Sequence, residues 1–262
     1  MNIRDYYLKT AKSNFWAAWI LLGLAIVFFI LRASGLITSN VFFVTVPFLI
    51  ISTAHFFSSD VYAKRARDLE EKKIATGSLH REETVLLQFM PAPTLRLLLF
   101  EPNGALLGEL RDKNMRWFMW MVPGAISVFL PKSYELVSAE GDVLAFYRVK
   151  GFFSNSMEIK NRSGTIIGYY HEKKSLVRNG CLYDSEDSEW IIIPEKNTIR
   201  DFPLKTAAGK SIAVIQTGWM PWEWQKRFEP NTPVLTFTTL AGEKERLAVW
   251  GVCALLFHHY DH

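Results

Sequence analysis

The candidate functional residues of this 262-residue chain are mostly basic, and many of them occur in or beside segments with the alternating pattern of β-strands. The basic candidates between positions 150 and 178 are Lys150, Lys160, Arg162, Lys173, Lys174 and Arg178. Cations from neighbouring hairpins can converge on one phosphate or lipid headgroup. The sequence therefore predicts a candidate anion-binding face at these residues, and a scattered solvated surface is the alternative.

A second candidate surface combines tryptophan with basic residues. Its members are Trp219, Trp222, Trp224, Lys226 and Arg227, together with Lys64, Arg65 and Arg67, which follow a long apolar run. Tryptophan beside basic side chains is typical of a membrane interface. Tryptophan also packs the interior of barrels, so interface contact and core packing are both open for the tryptophans.

Other motifs that suggest catalysis or metal binding are incomplete. The run Gly209–Ser211 reads Gly-Lys-Ser, but Leu204 stands where a phosphate-binding loop needs its first glycine. The C-terminal sequence HHYDH has adjacent histidines, which cannot both face one ion from a regular helix. The acidic sequence YDSEDSEW lacks the pattern of a calcium-binding hand and is predicted as an exposed hairpin tip. We predict no catalytic residue, no metal site and no cofactor.

Composition narrows the class of protein and of partner. Hydrophobic residues make up 49% of the chain, and 30 basic against 26 acidic residues give a net charge of +4. This excess is too small to indicate nucleic-acid binding, and no nucleic-acid partner is expected. The two cysteines, Cys181 and Cys253, form no metal-type motif, which suits a reducing compartment.

Two apolar segments near the N-terminus are long enough to cross a bilayer. Residues 15–33 contain one charge, Arg32, and residues 41–57 contain none. A bilayer core of about 30 Å needs about 20 helical residues. We predict two transmembrane helices, 15–33 and 41–57, joined by a short connection. A cleaved signal peptide and a pair of buried core helices are the alternatives.

The flanking charges predict the orientation of this hairpin. Lysine and arginine occur before the first apolar segment and after the second, and none occurs in the connection between them. Positive charge favours the cytoplasmic side. The sequence therefore predicts a two-span protein of the cell membrane, with residues 1–14 and the C-terminus in the cytoplasm. Residues 58–78 are predicted as a charged linker helix, and residues 79–262 as a separate domain.

The separate domain has the alternating pattern of antiparallel strands. Four predicted hairpins turn at Gly104, Gly141, Gly164 and Gly209. In the first three, a small residue follows four positions later and would permit close approach of a neighbouring element. Those small residues are Gly108, Ala145 and Gly168. Many short strands with frequent turns predict a barrel or a sandwich.

The segment 243–260 is the one predicted helix in this domain. Its eleven uninterrupted apolar residues, Leu247–Phe257, would cover about 16 Å as a helix, which is about half a bilayer core. A helix that is apolar on all sides is buried in protein or in lipid. Because the run is short and follows β-hairpins, we predict that it fills a closed sheet instead of forming a third span.

The chain resembles the superfamily of tubby C-terminal, LURP-one-related and phospholipid scramblase domains. The residues that carry the resemblance are LLFEPNGALLGELRDK, YELVSAEGDVLAFYRVKGFFSNSMEIKNRSGTIIGYYHEKK and RLAVWGVCALLFHHY, within 95–260. The resemblance implies a closed antiparallel β-barrel of about twelve strands around the C-terminal helix, and association with lipid or a membrane surface. The chain departs from scramblases in lacking a cysteine-rich palmitoylation run and an acidic calcium segment before the final helix.

Three functions follow from these features as hypotheses. The first is a membrane-anchored cytoplasmic barrel without catalytic activity, which binds lipid headgroups or a protein partner at the membrane surface. The alternative is lipid translocation of the scramblase kind. The second alternative is an enzyme with an unrecognised site inside or at the rim of the barrel, which would require a deep polar pocket with convergent titratable groups.

Overall fold

The computed structural model describes residues 1–36, 40–69, 77–115, 132–150, 156–172, 180–194, 201–218 and 220–257. The chain divides into two compact units, Met1–Lys73 and Ile74–His262. The first unit is helical and the second is built mainly from strands.

The first unit consists of two long helices, α1 (Ile3–Ala33) and α2 (Val41–Asp68). A capping box starts α1, in which the Asn2 side chain accepts from the Asp5 N–H at 2.9 Å and the Asp5 carboxylate accepts from the Asn2 N–H at 3.0 Å. Both helices are long and apolar enough to span a membrane. The charged segment after residue 57 continues α2 without a break as far as Asp68, and residues 70–76 of the predicted linker helix lie outside the described part.

The two helices pack as an antiparallel pair along a seam with a seven-residue spacing. The seam consists of small residues on α1 (Ala11, Ala18 and Ala25) opposite Thr45, Ser52, Ser59 and Ala66 on α2. The Ser52 hydroxyl donates to the Ala18 carbonyl and the Ser59 hydroxyl donates to the Ala11 carbonyl, each at 2.9 Å. Small side chains let the helix backbones approach closely enough for these hydrogen bonds.

The second unit is a closed antiparallel barrel of twelve strands. The strands are β1 (Thr84–Phe89), β2 (Arg96–Phe100), β3 (Leu106–Asp112), β4 (Ser133–Ser138), β5 (Val143–Lys150), β6 (Ser156–Asn161), β7 (Ile166–Glu172), β8 (Gly180–Asp184), β9 (Glu189–Ile193), β10 (Asp201–Thr206), β11 (Ser211–Gln216) and β12 (Val234–Phe237). Each strand pairs with the next along the chain, and β12 closes the barrel on β1 with Thr84 opposite Thr236. Closure leaves no unpaired sheet edge.

A C-terminal helix fills this barrel. After a short helix α3 (Trp222–Gln225), helix α4 runs over Glu243–Phe257, and its apolar residues join the inward residues of the strands in one buried core. The Tyr147 hydroxyl donates to the Leu247 carbonyl at 2.9 Å, and the Trp250 ring meets Phe237 edge-on at 5.8 Å. The predicted fold class, a closed twelve-strand barrel around a C-terminal helix after two long apolar helices, is therefore confirmed.

A buried arginine fixes the first turn of α4 at the mouth of the barrel. Arg246 is 7% exposed and donates to the carbonyls of Ala241 at 3.3 Å and Glu82 at 2.5 Å. Its guanidinium also lies 4.5 Å from the centre of the Phe237 ring. Burial lowers the pKa of Arg246, while Glu83 and Glu82 raise it. The helix is thereby tied to the segment that leads into β1.

The predicted turn glycines have the backbone conformation that their role requires. Gly104, Gly141, Gly164 and Gly209 have φ angles of 95°, 97°, 82° and 79°, a region that side chains with a Cβ disfavour. The acidic hairpin tip between β8 and β9 is exposed, as predicted, and places Asp187 at a φ of 65°. These turns are therefore set by local sequence.

The small residues after two of these turns allow neighbouring strands to approach closely. A Cβ added to Gly108 would collide with the backbone carbonyl of Val137, and one added to Gly168 would lie 2.6 Å from the carbonyl of Tyr183. The predicted close approach is confirmed at both positions.

Replacing Gly108 with alanine should destabilise the barrel by about 2 kcal/mol, because a backbone carbonyl cannot move aside as a flexible side chain can. The free energy of unfolding in urea measures this loss. Lys205→Ala, at an exposed strand position, is the control and should change stability by less than about 0.5 kcal/mol. A Gly108→Ala barrel as stable as the control would contradict the close approach.

Candidate functional site

A cluster of charged side chains lies on the outer face of β5 and β6. Side chains alternate along a strand, and Tyr147 and Val149 of β5 point into the barrel. Arg148 and Lys150 therefore point outward. On β6, Glu158 and Lys160 point outward, and Glu158 lies directly opposite Arg148 in the register. We name the four residues Arg148, Lys150, Glu158 and Lys160 the basic patch.

Glu158 organises the two lysines of the basic patch. It accepts a hydrogen bond from Lys150, and its other carboxylate oxygen lies 3.6 Å from the Lys160 ammonium. The hydrogen bond from Lys150 lowers the pKa of Glu158, burial opposes this, and the charges of both lysines lower it further. The carboxylate is therefore ionised at neutral pH and holds both ammonium groups on one surface.

The basic patch keeps a positive excess of charge. Two lysines contact the one carboxylate and Arg148 lies across the strand pair from it, and within the described ranges the exposed Arg148 side chain forms no ion pair. By contrast, the neighbouring outer face of β2–β4 is balanced. There, Arg96 pairs with Glu109 at 3.1 Å, while Arg111 pairs with Glu109 at 2.6 Å and with Glu135 at 2.7 Å. The excess charge therefore distinguishes the patch from the adjoining surface.

Aromatic side chains border the basic patch on the next two strands. Tyr169 lies opposite Glu158, and Tyr183 lies opposite Tyr169. The exposed His171 ring lies 6.5 Å from Tyr169 and 5.9 Å from Tyr183, between ring centres. A planar guanidinium can donate two parallel hydrogen bonds to a phosphate, and tyrosine hydroxyls can donate further ones. The arrangement is therefore suited to binding an anion.

The structure separates the predicted basic residues. It brings Lys150 and Lys160 together, but it places Arg162 in the turn after β6, where Arg162 pairs with Asp142 at 3.1 Å. Lys173, Lys174 and Arg178 lie outside the described residues. The sequence interpretation missed Arg148 and the organising Glu158. Arg148 could have been found from the sequence, because it lies two positions before Lys150 in a strand and therefore on the same face.

The tryptophan-rich segment covers the outside of the barrel on another side. Residues 220–232, which we name the strap, follow β11 and lead into β12. The outward-facing Leu98 and Phe100 are fully buried, and Phe228 of the strap meets Phe100 at 6.1 Å between ring centres. The Gln88 side chain donates to the Thr232 hydroxyl at 2.9 Å. The strap is thus held by a small apolar cluster of its own.

The strap exposes part of what the sequence predicted as a membrane interface. Trp222 is 73% exposed, Lys226 and Arg227 are exposed, and Trp224 is half-buried. The core-packing interpretation is therefore wrong for Trp222. Trp219 lies outside the described residues.

The remaining interface candidates lie on α2. Lys64 pairs with Asp60 at 2.7 Å, and Arg67 lies 4.0 Å from the same carboxylate. The Arg65 guanidinium lies 5.8 Å from the centre of the Tyr7 ring. These three cations therefore have partners within the helical unit.

The strap and the basic patch face different directions. The strap contacts β1 and β2, whereas the patch lies on β5 and β6. In the closed order of twelve strands, β5 is three strands away from β2, the nearest strand that the strap contacts. The strap and the basic patch are therefore separate candidate surfaces for contact with a bilayer.

Comparison with known proteins identifies no family for this chain. No family model matches, and no curated protein matches. Among solved structures, the chain is similar to an X-ray structure of a protein from Arabidopsis thaliana, with 8% sequence identity and a TM-score of 0.45. The similarity covers 73% of this chain and 100% of the plant protein.

Proposed function

We propose that this protein is a membrane-anchored barrel without catalytic activity that binds anionic lipid headgroups through its basic patch. The observation that carries the proposal is that three cations, Arg148, Lys150 and Lys160, accompany one carboxylate on the outer face of β5 and β6. Because α4 fills the barrel, a ligand has to bind on the outside. Phosphate-bearing headgroups match the patch in charge and in hydrogen-bonding capacity.

The same proposal includes the protein's location in the cell membrane and its membership in a superfamily. The two long apolar helices anchor the chain in the cell membrane, and the basic flanks orient both termini toward the cytoplasm. The barrel with an apolar C-terminal helix inside supports membership in the tubby, LURP-one-related and scramblase superfamily. A protein partner at the membrane surface is the competing occupant of the patch.

The test is binding of the barrel alone, residues 77–262, to phosphatidylcholine vesicles with and without phosphatidylserine. We expect sedimentation with the anionic vesicles at low salt and less of it at high salt. Arg148→Gln should weaken binding about fivefold, since one cation near an anionic surface contributes about 1 kcal/mol. Lys210→Gln removes the same charge at an exposed turn on another strand pair and should leave binding unchanged.

Each other outcome has a distinct meaning. Absence of binding to anionic vesicles at low salt would overturn the lipid proposal and leave a protein partner. Equal weakening by Arg148→Gln and Lys210→Gln would show that net charge matters and the patch does not. Loss of binding in Trp222→Ala, with Arg148→Gln unaffected, would move the contact to the strap.

A further inference from the structure

The exposed side chains of the helical hairpin change from apolar to charged at the same height on both helices, next to Phe15 on α1 and Phe57 on α2. We call this height the level. Along α1, nine large apolar residues are exposed between Phe15 and Ile30, and Leu8 is the only one in the helix before them. Along α2, exposed large apolar residues continue to Phe57, and none occurs in the rest of that helix, up to Asp68. Beyond this level, the exposed positions carry charges such as Lys12 and Lys64. The pattern indicates lipid on one side of the level and water on the other.

The helix pairing continues across this level without interruption. On the apolar side Ser52 bonds to Ala18, and on the charged side Ser59 bonds to Ala11 in the same register. Further along, the Arg4 side chain donates to the carbonyl of Ala66 at 3.2 Å, and Tyr7 stacks on Tyr62 at 5.9 Å. The charged ends of α1 and α2 are therefore one packed two-helix structure.

An aromatic collar marks the level itself. Phe15 meets Trp16, Trp19 and Phe56 edge-on, with ring centres 5.9–6.2 Å apart. Next to these rings, Asn14 of α1 and His55 of α2 share a hydrogen bond of 2.8 Å between the helices. Aromatic rings of this kind prefer the boundary between hydrocarbon and headgroups.

The dimensions of the hairpin agree with this boundary. Residues 15–33 of α1 span about 28 Å as a helix and residues 41–57 of α2 span about 26 Å, close to a hydrocarbon thickness of about 30 Å. The part of α1 from Ile3 to Asn14 adds about 18 Å more. The whole of α1 is therefore too long for the hydrocarbon core unless it tilts strongly.

We propose that the hairpin is two structures in line: a lipid-embedded part and a water-exposed two-helix stalk. The embedded part comprises residues 15–33 and 41–57, and the stalk comprises residues 2–14 and 58–68. The aromatic collar lies at the headgroups of the bilayer, on the side that carries both chain ends. The chain then leaves the stalk at Leu69, about 18 Å from the edge of the hydrocarbon. The inference rests on the proposed membrane anchor, and it adds how far along each helix the chain is embedded in lipid.

The experiment compares two leucines of α1 with nearly equal exposure, Leu8 at 44% and Leu24 at 42%. The full-length chain with Leu8→Cys or Leu24→Cys is spin-labelled and reconstituted into phosphatidylcholine–phosphatidylserine vesicles. A water-soluble nickel complex and oxygen are the relaxing agents. We expect the nickel complex to reach the Leu8→Cys label on the order of ten times more readily than the Leu24→Cys label, with oxygen showing the opposite preference.

Both native cysteines are buried, so the unsubstituted chain, labelled in parallel, gives the background. Two labels on α2 repeat the comparison: Lys64→Cys is expected in water and Ile50→Cys in lipid. If Leu8→Cys and Lys64→Cys are shielded from nickel, the stalk is wrong and the anchor survives. If Leu24→Cys and Ile50→Cys are open to nickel, the membrane anchor itself is wrong.

Discussion

Replacing Trp250 with alanine is expected to destabilise the barrel by about 4 kcal/mol. Trp250 is 1% exposed and is the largest fully buried side chain among the described residues. It lies on α4, and its ring meets Phe237 of the barrel wall. A closed wall of hydrogen-bonded strands surrounds the resulting cavity, so it can collapse only slightly. Urea unfolding of the barrel, followed by far-ultraviolet circular dichroism, measures the loss.

Trp222→Ala is the matched control for this substitution. The same side chain is removed, but from a position that is 73% exposed on the strap, so the free energy of unfolding should change by less than about 0.5 kcal/mol. A small effect of Trp250→Ala would mean that α4 is not packed inside the barrel in solution. A large effect of Trp222→Ala would mean that its ring packs against the strap or the barrel wall.

The fold could be predicted because its signals are local. Gly104 and Gly164 provide the backbone angles of tight turns, and Gly108 and Gly168 let neighbouring strands approach. The length of the apolar run in α4 excluded a full membrane span and left the barrel interior as its place. Each of these features depends on a few adjacent residues, so each is readable without the tertiary structure.

The candidate site could be predicted only in part, because it depends on register between strands. Lys160 lies two positions from Glu158 on β6, which the alternation along one strand could indicate, but it is the pairing of β5 with β6 that brings Lys150 to Glu158. The same pairing places Arg148 opposite that carboxylate and leaves Arg162 at the turn. The two-residue alternation in the sequence shows which face of a strand a side chain lies on, but it does not show which residue of the neighbouring strand lies opposite.

The helical unit shows a similar limit. The apolar pattern located residues 15–33, but α1 begins at Ile3, because the preceding polar residues pack against the charged end of α2. Hydropathy finds the part of a helix that faces lipid, whereas the extent of the helix depends on the antiparallel seam. Seven-residue spacing of Ala11, Ala18 and Ala25 was visible in the sequence but carried no hydropathy signal.

Removing the hairpin is expected to convert a protein that needs detergent into one that does not. In residues 77–262, the described large apolar side chains that are exposed are Ile192, Trp222 and Leu240. The cut precedes Gly77, whose nitrogen donates to the Glu101 carboxylate at 2.6 Å, so the shortened chain keeps the residue that makes this hydrogen bond. Burial of α4 inside the barrel removes the apolar run of the C-terminus from water.

Size-exclusion chromatography without detergent, and circular dichroism of the eluted peak, measure this change. We expect residues 77–262 to elute as a soluble, β-rich species, while the full-length chain stays with the membrane fraction after alkaline extraction. If the shortened chain elutes as a folded protein only with detergent, an apolar face of the barrel domain contacts lipid. The strap is then the first surface to test, by the substitution Trp222→Ser. If the full-length chain is extracted by alkali, the hairpin does not anchor it. The two results are independent, because one depends on the outer surface of the barrel and the other on the lipid-facing residues of α1 and α2.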